Sequence, residues 1–116
     1  MLRDLLLVAL GGALGAVARF GVSSLLPRID FPWHTLAVNL VGSFLLGYLF
    51  LDHGMEHGPR LLVAVGFLGA FTTLSAYGVE TIELVREGHA RLAAANVALN
   101  GLGGPLMAWL GWRLSA

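Results

Sequence analysis

The charges of this chain fall in short clusters, and the stretches between them constrain its fold more than any other feature. Leu5 to Leu26 is apolar except for Arg19 and a few Ser and Gly residues. Phe31 to Leu51, Leu61 to Val79 and Leu92 to Trp112 contain no Asp, Glu, Lys or Arg. An α-helix needs roughly 20 residues to cross the hydrocarbon core of a bilayer, and each stretch has about that length. The pattern predicts an all-α membrane protein with four transmembrane helices in a single domain, 1–116. Trp33, Trp109 and Trp112 lie near the ends of the spans, where interfacial aromatic residues belong. A water-soluble bundle would need a polar stripe along each helix, and these segments have none.

Composition excludes several classes of function. The chain is 57% hydrophobic and 12% charged, about half the charge of a soluble domain. Its formal net charge is zero, so no basic surface invites nucleic acid. Without cysteine there is no thiolate chemistry and no Cys-based metal site. Arg3 followed by an apolar run partly fits a secretion signal. Asp4 and the lack of a convincing cleavage site favour a retained first span instead. No Ser/His/Asp set, carboxylate pair or phosphate-binding loop is visible, so an enzyme is not expected. His34 and His89 sit at span ends; His53 and His57 are four apart and could bind a metal only if their loop were helical.

The basic residues are all arginine, and apart from Arg19 inside the first span they divide evenly. One side of the membrane receives Arg3, Arg60 and Arg113, and the other Arg28, Arg86 and Arg91. The positive-inside rule needs an imbalance to set orientation. Its absence predicts dual topology, with copies inserted both ways up, and makes an antiparallel homodimer the natural functional unit. Gly11 and Gly15, Gly12 and Ala16, Gly66 and Ala70, and Gly104 and Ala108 repeat a small-xxx-small spacing that marks helix contact faces in lipid.

Polar residues within a span are costly and usually face the protein interior. Thr35, Asn39 and Ser43 lie one turn apart on one face of the second span, and Asn96 and Asn100 repeat the spacing in the fourth. These stripes are either interhelical hydrogen-bond glue or a track of donors that replaces water around an anion. The third span contains Gly69, Thr72, Thr73, Leu74, Ser75 and Tyr77 near its centre. Glycine with two β-branched threonines is compatible with a break in the helix. It is also compatible with an unbroken helix whose threonine hydroxyls bond the preceding turn. A break would free carbonyls that protein, water or an ion must satisfy, and such oxygens suit a small hard cation. Arg19 either snorkels to the interface or pairs with a carboxylate across a vestibule, with Glu80 as a candidate.

Three segments give the chain a resemblance to a known family. Gly11-Gly12-Ala13-Leu14-Gly15-Ala16-Val17-Ala18-Arg19 resembles GGxxGAxxR in the first helix of the Fluc/CrcB bacterial fluoride channels. Thr35 to Gly47, TLAVNLVGSFLLG, is similar to the family's TLxVNxxGSFLLG segment. Gly66 to Ser75, GFLGAFTTLS, is similar to GFxGxxTTFS in the third helix. The resemblance implies an antiparallel dual-topology homodimer in the bacterial inner membrane, with two fluoride pores. It further implies a structural sodium ion at the dimer centre, held by the main-chain carbonyls of Gly69 and Thr72 from both subunits. Asn39 matches the pore asparagine, with Thr35 on the same track; Glu80 matches a glutamate close to the pore, and Arg19 the motif arginine.

The chain departs from the family's pattern at Leu74 and Tyr77, where phenylalanines typically line the path. A ring edge carries partial positive charge and can face an anion; leucine cannot supply that edge. Asn96 and Asn100 stand where a tyrosine and a serine are common. The implied function is passive, selective fluoride export. The alternative is a dual-topology exporter of the small multidrug resistance type, whose proton coupling uses a glutamate deep in the first helix. This chain has Arg19 there, and no carboxylate beyond Asp4. A structural membrane subunit without transport is a third class, disfavoured by the polar stripes.

Overall fold

In a computed structural model of the chain, residues 1–51 and 54–115 are described. They form helices α1 (Leu2–Leu25) and α2 (Trp33–Phe50), then α3 (57–71), α4 (Leu74–Arg86) and α5 (Ala90–Ser115). No strand occurs among the described residues. Arg60–Leu68, within α3, is wound as a π-helix. The third span is therefore α3 and α4 together, broken at Thr72 and Thr73, whose backbones are extended (φ −85°, ψ 157° and φ −151°, ψ 123°). The break falls on the paired threonines. The helix beyond it runs past Val79 to Arg86, so the third span is longer than its charge-free stretch. His57 lies in the first turn of α3; His53, its suggested metal-binding companion, lies outside the described residues.

Three elements are long and apolar enough to cross a membrane: Leu2–Leu25, Trp33–Phe50 and the combined His57–Arg86. The fourth, Ala90–Ser115, has the length at 26 residues; Asn96, Asn100 and its glycines dilute its apolarity. It packs along most of α2, with Asn39 beside Asn100 and Gly47 against Ala108. These contacts advance along both helices together, so α2 and α5 run parallel. Gly11 against Leu62 and Gly15 against Phe67 give the same sense to α1 and α3. Two parallel pairs, each separated by one crossing, are what a four-pass chain requires.

The small residues set the helix separations. A β-carbon at Gly11 would fall on the Leu62 carbonyl, one at Gly15 on the Phe67 carbonyl, and one at Gly47 on the Ala108 carbonyl. A β-carbon at Gly66 would lie 2.9 Å from the Val8 carbonyl. Gly42 instead faces the methyl group of Thr72 at the break. These are backbone-to-backbone approaches that only glycine permits, and they provide van der Waals contact in lipid, where hydrophobic driving force between helices is absent.

The ends of the bundle carry the charges as the sequence allocates them. Arg28, between α1 and α2, pairs with Glu83 (2.6 Å) and Glu87 (3.4 Å) at the end of α4, placing it on the side of Arg86. At the opposite end Asp4 meets His57 at 3.2 Å, and the Arg60 guanidinium lies over the Phe50 ring. The turn from α4 to α5 closes on Gly88 (φ 83°), where Gly88 N–H donates to Val85 and His89 N–H to Leu84. That left-handed cap suits glycine alone without strain.

Candidate functional site

The site is built around Asn39 and the broken helix. Asn39 Oδ1 accepts from the Thr73 backbone N–H at 2.8 Å, and Asn39 Nδ2 donates to the Thr73 carbonyl at 3.1 Å. One side-chain amide on α2 thus substitutes for both helical partners of an extended residue inside the membrane. Thr73 also caps α4, its hydroxyl accepting from Ala76 N–H at 3.2 Å. The Thr72 hydroxyl bonds back to the Leu68 carbonyl at 3.0 Å. The two threonines therefore divide the tasks of ending one helix and starting the next.

These diversions have a consequence for two carbonyls. A continued α-helix would bring Thr73 N–H to the Gly69 carbonyl and Ala76 N–H to the Thr72 carbonyl. Here Thr73 N–H goes to Asn39 and Ala76 N–H to the Thr73 hydroxyl. Gly69 and Thr72, assigned by resemblance to a sodium ion, are thus two of the residues 69–72 whose carbonyls lose their regular helical donors at the break. The donor chemistry fits a small hard cation, and Gly69 lies exposed on the surface of the single chain.

A directional chain of amides runs from the break into the bundle. Asn39 Nδ2 donates to Asn100 Oδ1 (2.9 Å), and Asn100 Nδ2 to Asn96 Oδ1 (3.0 Å). Asn96 Nδ2 donates to the Thr81 hydroxyl (2.9 Å), which donates to the Tyr77 carbonyl (2.8 Å). Each amide fixes the orientation of the next, so the chain rigidifies α2, α4 and α5 as one unit.

Two cavities meet at Thr73. The first, about 300 Å³, is lined by Asn39, Ser43, Thr73, Leu74, Tyr77 and Asn100, among others. The second, about 270 Å³, is lined by Arg19, Ser23, His34, Thr35, Thr73 and Ala76, among others. Residues from every span except the fourth reach the second cavity, and the fourth joins at the first. Thr35 and Asn39, one turn apart, point to different cavities across the break. Beside the second cavity, Thr35 donates to Glu80 Oε1 at 2.5 Å. Glu80 is 8% exposed, and its ionisable neighbour is His34 (Nε2 to Oε2, 3.7 Å) rather than Arg19.

Most of the sequence candidates converge here, and two stand apart. Asn96 is wholly buried, held between Thr81 and Asn100, and lines neither cavity. Ser75 points outward, 3.4 Å from the Thr73 hydroxyl, into a shallow groove shared with Gly78, Val79 and Ile82. Leu74 borders the first cavity yet is 80% exposed. Sequence reasoning missed Thr81, which ends the amide chain. Its position four residues after Tyr77, on the face of a polar helix, was the available signal. It also missed Ser23 and the role of His34 as the neighbour of Glu80.

A small bundle of membrane-crossing helices, with a broken third span and cavities that carry polar side chains on both sides of the break, defines an integral membrane protein with a partly polar interior. The model of the family described as CrcB-like protein, Camphor Resistance (CrcB), matches residues 6–112. Proteins named fluoride-specific ion channel FluC are similar over nearly the whole length. One from Pseudoalteromonas translucida is 42% identical, covering 93% of this chain and 96% of the relative. One from Shewanella sp. (strain ANA-3) is 44% identical, covering 97% and 96%. One from Methanocaldococcus jannaschii is 40% identical, covering 96% and 93%. The chain belongs to the CrcB-like family.

Proposed function

We propose that this protein is a passive fluoride channel, exporting cytoplasmic fluoride by electrodiffusion. The observation that carries the reading is the pair of cavities that share Thr73, the extended residue whose backbone Asn39 clamps. Fluoride binds its water tightly, so a path must offer close donors in exchange. The Ser43 and Thr73 hydroxyls can do so without trapping the anion against a full buried charge, whereas Thr35, Asn39 and Asn100, whose hydrogens are held by Glu80, Thr73, Asn100 and Asn96, would have to turn a donor from the protein to the anion. Tyr77 offers a ring to the first cavity, and Leu74 leaves its neighbouring wall aliphatic. Arg19 supplies positive charge to the second cavity. The exporter alternative lacks support, because the first helix has no carboxylate within the membrane.

The functional unit in this reading is an antiparallel, dual-topology homodimer with two pores, in the plasma membrane of a prokaryote, specifically a bacterial inner membrane. Even arginine numbers on the two sides support dual insertion. The outward face of α4 offers a dimer contact, since Leu74, Val79 and Ile82 are large, apolar and exposed. The same contact would bring Gly69 and Thr72 of two copies together. Their carbonyls would hold a structural sodium ion, which supplies fixed positive charge and ties the two breaks to each other.

Two experiments address this reading. Expression in cells stripped of their own fluoride export should restore growth in fluoride; a protein that inserts normally yet gives no protection would count against it. Reporters fused separately to the two termini should each read out on both sides of the membrane. A single uniform orientation would refute dual topology while leaving fluoride conduction standing.

A further inference from the structure

We propose that His34 is a proton-sensing residue of the second cavity, and that fluoride current rises when its imidazole takes up a proton. The inference rests on the channel reading above and adds a regulation to it. Its basis is a group of unmet polar atoms at one place. Among the described residues, the buried side-chain atoms without a hydrogen-bond partner are Arg19 Nε, His34 Nδ1 and Glu80 Oε2. Arg19 and His34 line the same cavity, and Glu80 is bonded to Thr35, which lines it too.

A histidine held only for structure normally engages its ring nitrogens in hydrogen bonds that fix its tautomer. His34 does neither: Nδ1 has no partner, and Nε2 stands 3.7 Å from Glu80 Oε2, beyond hydrogen-bond length. Glu80 is correspondingly half satisfied, with Oε1 held by Thr35 and Oε2 free. A proton on His34 would turn the Nε2–Oε2 approach into an ion pair and satisfy Glu80. The imidazolium would pair with Oε2, offsetting the carboxylate charge, and would place a second positive group beside Arg19 on the cavity wall. With the imidazole neutral, the Glu80 charge behind Thr35 and His34 on the cavity wall has no imidazolium to offset it, and an entering anion is repelled more strongly.

The other charged groups near this end do not compete for the role. On α1 the facing ionisable group is Arg19, and on α4 it is Glu80. Arg28 is committed to Glu83 and Glu87, and Asp30 lies exposed in the connection between α1 and α2. Histidine is the side chain whose charge changes between about pH 5 and 8.

The test is unitary fluoride current in planar lipid bilayers, with both solutions moved together between about pH 5.5 and pH 8. Neutral hydrogen fluoride crosses lipid without carrying current, so its leak is not counted. Wild-type current should be about fivefold larger at the acidic end, the effect of one added unit charge some ~10 Å from the anion after screening. His34→Gln should give a flat profile near the wild-type alkaline level, and His34→Arg a flat profile near the acidic level. Loss of current in both variants by a purely structural route would not reproduce those two different levels. Should either variant fail to insert, His34→Asn and the wild-type profile decide the matter. A flat wild-type profile overturns the inference, as does a pH dependence that survives in His34→Gln, which would make Glu80 itself the sensor. Absence of fluoride current at every pH would overturn the channel reading as well, and so is distinguishable from failure of the sensor alone.

Discussion

Replacing Asn39 with alanine is expected to reduce fluoride flux about 100-fold or more, the equivalent of losing two hydrogen bonds of about 1.4 kcal/mol each along the path. The physical reason lies in what the side chain holds. Asn39 is the partner of both the N–H and the C=O of Thr73 and of Asn100 Oδ1. Alanine leaves two backbone groups of a part-buried extended residue unpaired in the middle of a membrane, where no bulk water replaces them. Thr73 must then either rejoin the helix, closing the junction between the cavities, or recruit water. Asn39→Asp separates the two roles of the amide. The carboxylate still accepts from Thr73 N–H, so the break persists, but it cannot donate to the Thr73 carbonyl or Asn100 and it repels the anion. Folded protein with no flux is the expected result for Asn39→Asp. Flux close to wild type in Asn39→Ala, measured on folded protein, would contradict the role assigned to the clamp.

The second large effect is expected on the fold. Gly15→Ala should destabilise the bundle by about 3 kcal/mol, the upper part of the range for overpacking a tight contact. The added methyl would coincide with the Phe67 carbonyl of α3, and backbone on both sides leaves no flexible side chain to yield. Gly21→Ala is the matched control, since nothing lies within 4 Å of a β-carbon there. The same methyl should be neutral or slightly stabilising in an exposed helix, where alanine is the better former. Thermal unfolding in detergent, followed by loss of monodisperse protein, reads the difference. Equal midpoints for the two variants would mean that α1 and α3 are not packed through Gly15. Because the contact is remote from Asn39, flux through the surviving folded fraction should change little.

Much of this organisation was legible in the residues. Clustered charges fixed the crossings, and the arginine positions allocated the two ends that Arg28–Glu83 and Asp4–His57 now mark. The Gly11/Gly15 spacing located a contact face, though not the partner helix. The paired threonines allowed a break without requiring one. What decided between the alternatives is Asn39, which stands 34 residues away in sequence and reaches the Thr73 backbone. A side-chain bond to a main-chain group has no signature in local spacing. The same limit applies to Glu80. Opposite charge made Arg19 its natural companion, yet packing brought Thr35 and His34 to it. Asn96 and Asn100 show the converse case. Their four-residue spacing was plain, but only three-dimensional packing distinguishes the amide that lines a cavity from the one buried against Thr81. The π-winding of Arg60–Leu68 has no residue-level cue in this sequence.

Selective fluoride conduction is measured most directly by efflux from liposomes containing the purified protein, loaded with potassium fluoride or potassium chloride and triggered with a potassium ionophore. Rapid loss of fluoride, with chloride retained and with Asn39→Ala close to protein-free liposomes, is the expected result. Fluoride retained by liposomes that carry folded wild-type protein, or chloride released as fast as fluoride, would contradict a selective fluoride channel.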